Sequence, residues 1–261
     1  MPAYSRILLP WDSQPQEVVE VNPDLTTLLV PARGGTFREA VGSAWTYSNA
    51  GDLSSGVAAF GRAVVNANTG YLSRTNTHTA GPITVGFTFT PSTISGTEGF
   101  WSLGDTAASA GAHFIIQRNG ADLRLYFGSA YRLTITGVFA VGVPCNIVCT
   151  FSDTVYAIAD CTATVGINGR VWSVASGQNA TLLTNEFFMS GYNGQPAGAY
   201  GEFWSTPQDL SARVGEISAN PWAYIYAPRT IWVPVSAAAA PSGFQAAWAH
   251  RQPRTIGAGV M

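Results

Sequence analysis

Residues able to do chemistry are sparse in this chain, and their spacing limits what they can do. Its 261 residues hold 15 acidic side chains, three histidines and three cysteines. Cleaving a glycosidic bond needs two carboxylates across the sugar, one as acid and one as nucleophile or base. On one strand such a pair would share a face at i, i+2 or i+4, and no Glu-x-Asp-x-Glu pattern occurs. A pair drawn from distant strands, such as Glu98 with Glu202, stays open. His78, His113 and His250 share no metal-ligand spacing, and His113 reads as a core or edge residue. No Gly-x-Ser-x-Gly elbow, Walker loop or Gly-x-Gly-x-x-Gly is present. Asp105 and Asp153 sit in loops where they could help hold calcium, but loop aspartates commonly bond their own backbone instead. The expectation is a non-enzyme with no catalytic residue, metal or cofactor.

Binding chemistry remains. Sugar recognition needs aromatic faces to stack on pyranose rings, with amides and carboxylates to bond hydroxyls, on loops that a rigid scaffold holds. The loop from Gly191 to Tyr200 offers Tyr192, Asn193, Gln195 and Tyr200, and Trp101 and Tyr131 are further aromatic candidates. The alternative, that these aromatics pack beneath the loop or touch a protein neighbour, stays open.

The elements that must position them read as strands. Thr84–Thr90 alternates strictly, with Val85, Phe87 and Phe89 on one face and Thr84, Gly86, Thr88 and Thr90 on the other. Gly99–Leu103, His113–Gln117, Leu123–Phe127 and Cys145–Phe151 continue the pattern. Asn119-Gly120 and Asn168-Gly169 are hairpin turns, because both residue types tolerate positive φ. Leu210, Val214 and Ile217 form one apolar stripe on a short helix that Ser211 could cap and Asn220-Pro221 would end, with Trp222 as a buried anchor. Short alternating strands with one late helix predict an all-β, two-sheet antiparallel sandwich with extended N- and C-terminal arms.

Composition narrows the partners. Charged residues make up 11% of the chain and the net charge is −2, with no basic run, which argues against nucleic acid. No apolar run approaches the ~20 residues of a membrane span, and no signal peptide is evident at the start. Cys145 and Cys149, four apart on one strand, would stand roughly 13 Å apart, too far for a disulfide. Cys149–Cys161 is possible across a hairpin, but buried free thiols in a reducing cytoplasm are the preferred reading. Residues 1–56 read as an extended Pro-rich segment packing on the sandwich or a neighbour, 57–228 as the sandwich, and 229–261 as a last strand, small-residue linker and arm. Trp232, Phe244 and Trp248 give that arm its aromatic anchors for assembly.

In this order the strands resemble the laminin-G-like, concanavalin A-like lectin/glucanase family, a jelly-roll sandwich. Gly61–Tyr71 looks like its opening strand, Thr84–Pro91 and Trp101–Asp105 like the next two, and Val165-Gly-Ile-Asn-Gly169 like its Val-Asn-Gly turn. Gly201-Glu-Phe-Trp, Leu210-Ser and Glu216-Ile are similar to its closing strand and terminal helix. Trp11–Gln16, Asn22-Pro23, Ile217–Trp222 and Ala227–Ile231 look like laminin-G-like proteins of tailed bacteriophages. That resemblance implies a virion protein made in the bacterial host cytoplasm, decorating the capsid or built into the tail. Its partners would be other virion proteins and copies of itself. The alternative is a glycan-binding module that recognises host surface polysaccharide.

Overall fold

The computed structural model describes residues 5–8, 18–32, 34–42, 44–49, 53–67, 69–78, 80–104, 114–127, 130–153, 161–175, 184–190, 194–226, 230–231 and 254–255. The chain divides into two units, 1–22 with 222–261, and 23–221. In the first, β1 (Ser5–Leu8) pairs antiparallel with β2 (Val18–Val21). Val21 also bridges Tyr226, and Asn22 donates from its backbone N–H to Ile225 O at 2.9 Å and from Nδ2 to Tyr224 O at 3.1 Å.

The second unit is the sandwich, and every strand pairing described in it is antiparallel. Its early strands are β3 (Thr27–Pro31), β4 (Phe37–Val41), β5 (Thr46–Ser48), β6 (Leu53–Ala58), β7 (Gly61–Asn66) and β8 (Tyr71–Thr75). The middle ones are β9 (Ile83–Pro91), β10 (Thr97–Gly104), β11 (Phe114–Asn119), β12 (Asp122–Phe127) and β13 (Ala130–Ile135). It closes with β14 (Cys145–Phe151), β15 (Thr162–Ile167), β16 (Arg170–Ala175), β17 (Asn185–Phe188) and β18 (Gly198–Thr206). Among the described residues the front sheet has seven strands in the order β13-β12-β11-β10-β17-β8-β5. The back sheet runs β16-β15-β14-β9-β18-β3-β4, with β7 beside the first half of β18 and β6 beside β7.

Strands of the 1–56 segment thus belong to both sheets, and β3 lies between β18 and β4 with Leu28 and Leu29 fully buried. The short apolar runs of this Pro-rich segment are therefore not confined to sheet edges. Proline excludes a chain from a sheet interior only where its missing N–H falls within the ladder. Here Pro23 precedes β3 and Pro31 is its last residue.

Between the sheets lies an aromatic core. Phe188 meets Phe203, Phe87, Phe37 and Tyr200 with ring centroids 4.3–6.1 Å apart. Cross-strand partners share a face, so the register Tyr47–Leu72–Phe188–Trp101–Ile116–Leu125–Leu133 marks the inward row of the front sheet. A second inward row, Arg74–Glu186–Leu103–Phe114, carries charge into the core. There Glu186 accepts from Trp101 Nε1 at 2.9 Å and from Arg74 Nε at 2.7 Å, while Arg74 also donates to Thr27 Oγ1 at 2.7 Å.

The hairpins form where expected, with one difference. Asn168 and Gly169 both take positive φ, +47° and +85°, but at the first turn only Gly120 does, at +60°. Asn119 instead ends β11 opposite Asp122. All three cysteines are free and buried.

The terminal helix closes the outer face of the back sheet. After a 3-10 turn at Ser211–Arg213, α1 (Val214–Ala219) packs over β14 and β15 with Val214 and Ile217 buried. The close approach requires glycine: a Cβ on Gly166 would stand 2.3 Å from Val214 O. Ser211 is not the cap, since no side chain caps this turn, and Asp209 Oδ1 instead accepts from the Ser211 N–H at 2.9 Å. Asn220 is extended and ends α1 as expected, but Pro221 then opens a second turn, α2 (Pro221–Ile225). Proline suits that first position because its fixed φ matches the helix and its missing N–H is not needed. Trp222 is consequently half-buried rather than an interior anchor, and Pro221, Tyr224 and Ile225 are the buried residues. Strands β19 (Thr230–Ile231) and β20 (Arg254–Thr255) complete the first unit.

Candidate functional site

The outer faces of the two sheets differ. The back sheet carries α1, whereas no described helix packs on the front sheet. Because side chains alternate along a strand, the residues beside the inward rows point outward. One outward row crosses the whole front sheet: Thr46–Ser73–Phe187–Ser102–Ile115–Tyr126–Tyr131. A second runs Gly99–Gln117–Arg124–Thr134.

These rows mix rings with hydrogen-bonding groups. Tyr131 is 45% exposed, its ring 5.3 Å from that of Tyr126 and beneath the Arg124 guanidinium, whose Cζ lies 5.1 Å from the ring centroid. At the other side Tyr71 and Phe187 are in ring contact at 6.4 Å. Between them stand Ser102 and Gln117, both buried. The Ser102 hydroxyl, both ends of the Gln117 amide and Arg124 Nε have no hydrogen-bond partner among the described residues. Buried polar atoms are normally satisfied, and an orphan costs about 1–3 kcal/mol. Four such atoms, on three side chains, share the outward rows of this one sheet.

The sequence-derived residues separate. Trp101 faces inward, fully buried, stacked on Phe151 at 5.9 Å and bonded to Glu186; it is core, and the expectation of a glycan contact is corrected. The β-bulge at Gly99/Trp101 sets that facing. Tyr200 is corrected likewise: fully buried, it donates its hydroxyl to Pro196 O at 2.8 Å and packs on Phe89. Gln195 is half-buried, and Gly194 O accepts from the Gly99 N–H at 3.1 Å, so the loop runs beside the outward row of Gln117. Tyr192 and Asn193 lie outside the described residues, as do Trp232, Phe244 and Trp248 of the expected assembly arm.

Glu98 and Glu202 stand on different sheets, and Glu98 is ion-paired with the buried Arg118, which also donates to Ser95 O at 3.2 Å. No group of three or more His, Cys, Asp or Glu among the described residues is placed to hold a metal ion. Asp153 is half-buried; Asp105 is outside the described residues. Sequence reasoning missed Ser102, Gln117 and Arg124. Their signal was the polar phase of strands β10–β12, which was not followed across the sheet.

No protein-family model matches the sequence, and no curated protein matches it. Solved structures do. Trypanosoma rangeli sialidase in complex with sialic acid is 14% identical, with a TM-score of 0.53 over 82% of this chain and 36% of that one. The binding domain of botulinum neurotoxin serotype D is 9% identical, with a TM-score of 0.50 over 75% and 52%. Domain 4 of the extracellular arabinanase AbnA from Geobacillus stearothermophilus, in complex with arabinotriose, is 13% identical, with a TM-score of 0.48 over 75% and 98%. The chain thus spans about a third of the sialidase and half of the toxin domain. At these identities the likeness shows a β-sandwich of this architecture.

Proposed function

We propose that this protein is a non-catalytic glycan-binding module and that the outer face of its front sheet is the binding surface. The observation that carries the reading is that face itself. Tyr131 and Tyr126 offer rings, and Ser102, Gln117 and Arg124 offer buried hydrogen-bonding atoms without protein partners among the described residues. Stacking surfaces with a few convergent polar groups are what a sugar site requires. A solved structure that shares this architecture, the Trypanosoma rangeli sialidase in complex with sialic acid, is in keeping with it.

A microarray of bacterial and plant polysaccharides probed with the wild type and with Tyr131→Ala tests this. Binding by the wild type that falls at least tenfold in the variant is expected. Absence of binding to every glycan, or binding indifferent to Tyr131→Ala and Gln117→Ala, would overturn it. The phage-like stretches around Trp11 and Asn220-Pro221 support a setting for such a module, a virion that engages host surface polysaccharide. Detection of the protein in purified particles tests the setting separately.

A further inference from the structure

We infer that the glycan taken by this face is acidic and that Arg124 selects its carboxylate; this rests on the glycan-binding reading above. Arg74, Arg118 and Arg213 each ion-pair with a glutamate, Glu186, Glu98 and Glu216. No described carboxylate ion-pairs with Arg124, whose guanidinium instead lies over the exposed Tyr131 ring. The acid nearest along the same strand face is Asp122, and its Oδ1 already accepts from the Gly137 N–H at 3.0 Å.

The orphaned atoms on these outward rows offer donors and acceptors alike, and among them only Arg124 adds a positive charge. Arg124 Nε–H, the two Gln117 Nε2 hydrogens and the Ser102 hydroxyl hydrogen can donate, against acceptance at Gln117 Oε1 and the Ser102 oxygen. A neutral pyranose presents hydroxyls, each bringing a donor that needs an acceptor. A carboxylate brings acceptors only, and its two oxygens match the planar guanidinium fork. The sugar ring would then rest on Tyr131 and Tyr126, with one hydroxyl donating to Gln117 Oε1.

Calorimetric titration of the 261-residue chain with an oligogalacturonate and with a sialylated oligosaccharide, each beside its methyl ester, tests the inference and separates hexuronic from sialic acids. At least one acid should bind about tenfold or more tightly than its ester, the difference one charge-assisted hydrogen bond makes. Arg124→Gln should abolish that preference and Arg124→Lys should keep part of it, both with wild-type melting curves. Equal affinity for acid and ester by the wild type, or an undiminished preference in Arg124→Gln, would overturn the inference while glycan binding stands. Failure of acids, esters and neutral oligosaccharides alike to bind the wild type would remove the glycan reading itself.

Discussion

Glu186→Gln isolates the most consequential polar contact in the core. The Glu186 side chain is 2% exposed and that of Arg74 7%, so neither charge is appreciably screened by water. One carboxylate oxygen accepts from Trp101 Nε1 and the other from Arg74. A glutamine fills the same volume but presents one oxygen and one NH2. Whichever way it turns, an N–H faces another donor, and Arg74 keeps a charge with no buried counter-ion. Breaking such a pair from one side costs about 3–5 kcal/mol. For a domain of this size each kcal/mol lowers Tm by about 2–4 °C, so a fall of roughly 6–20 °C is expected in calorimetry. Replacing both members, Glu186→Leu with Arg74→Met, should cost less than Glu186→Gln alone, because apolar residues remove the unpaired charge. Salt should leave the Glu186→Gln effect unchanged, since buried pairs are poorly screened. A loss under about 1 kcal/mol, or a double variant less stable than the single one, would refute this account of the core.

Two further outcomes follow from burial. Gly166→Ala puts a methyl 2.3 Å from Val214 O and 2.7 Å from Ser218 Oγ, so α1 must shift; a loss of about 1–3 kcal/mol is expected in urea unfolding. Burial pushes the Cys145 thiol up to about 11 from 9.0, and raises Cys149 and Cys161 above theirs. The folded state therefore favours the neutral thiols. That stabilisation is complete below pH 9.0, where unfolded thiols start to ionise, and is lost as pH climbs toward about 11. Urea midpoints should fall over that window, and the triple Cys→Ala variant should fall less.

Much of the fold was legible because the inward phase of each strand is apolar. Val85, Phe87 and Phe89 read directly as a buried face, and the Asn168-Gly169 turn fixed the register of β15 with β16. The helix was legible from Leu210, Val214 and Ile217, all buried. What it covers was not, because nothing local in Gly166 announces that a helix lies across it. The early strands were obscured by prolines, which mark where β3 is bounded rather than forbid it. Trp222 was misjudged because Pro221 opens a turn as readily as it closes one.

The site was hidden by the same alternation that revealed the fold. A tyrosine has the composition of a sugar contact wherever it stands, and only the parity of its strand position separates Tyr200 in the core from Tyr131 outside. That parity is not continuous: β10, β12–β13 and β18 each carry a register shift, at Gly99/Trp101, Leu125/Tyr126 and Tyr200/Phe203. Each shift exchanges the faces for the residues beyond it. The shift in β10 lets Gly99 align with outward-facing Gln117 while Trp101, two positions on, aligns with inward-facing Ile116. An aromatic inventory by loop therefore selected buried rings, whereas counting phase through the bulges leads to Ser102, Gln117 and Arg124. Polar residues that keep the outward phase of a central strand, yet find no partner when buried there, are the more discriminating signal. Their cost has no structural return unless something else completes their hydrogen bonds.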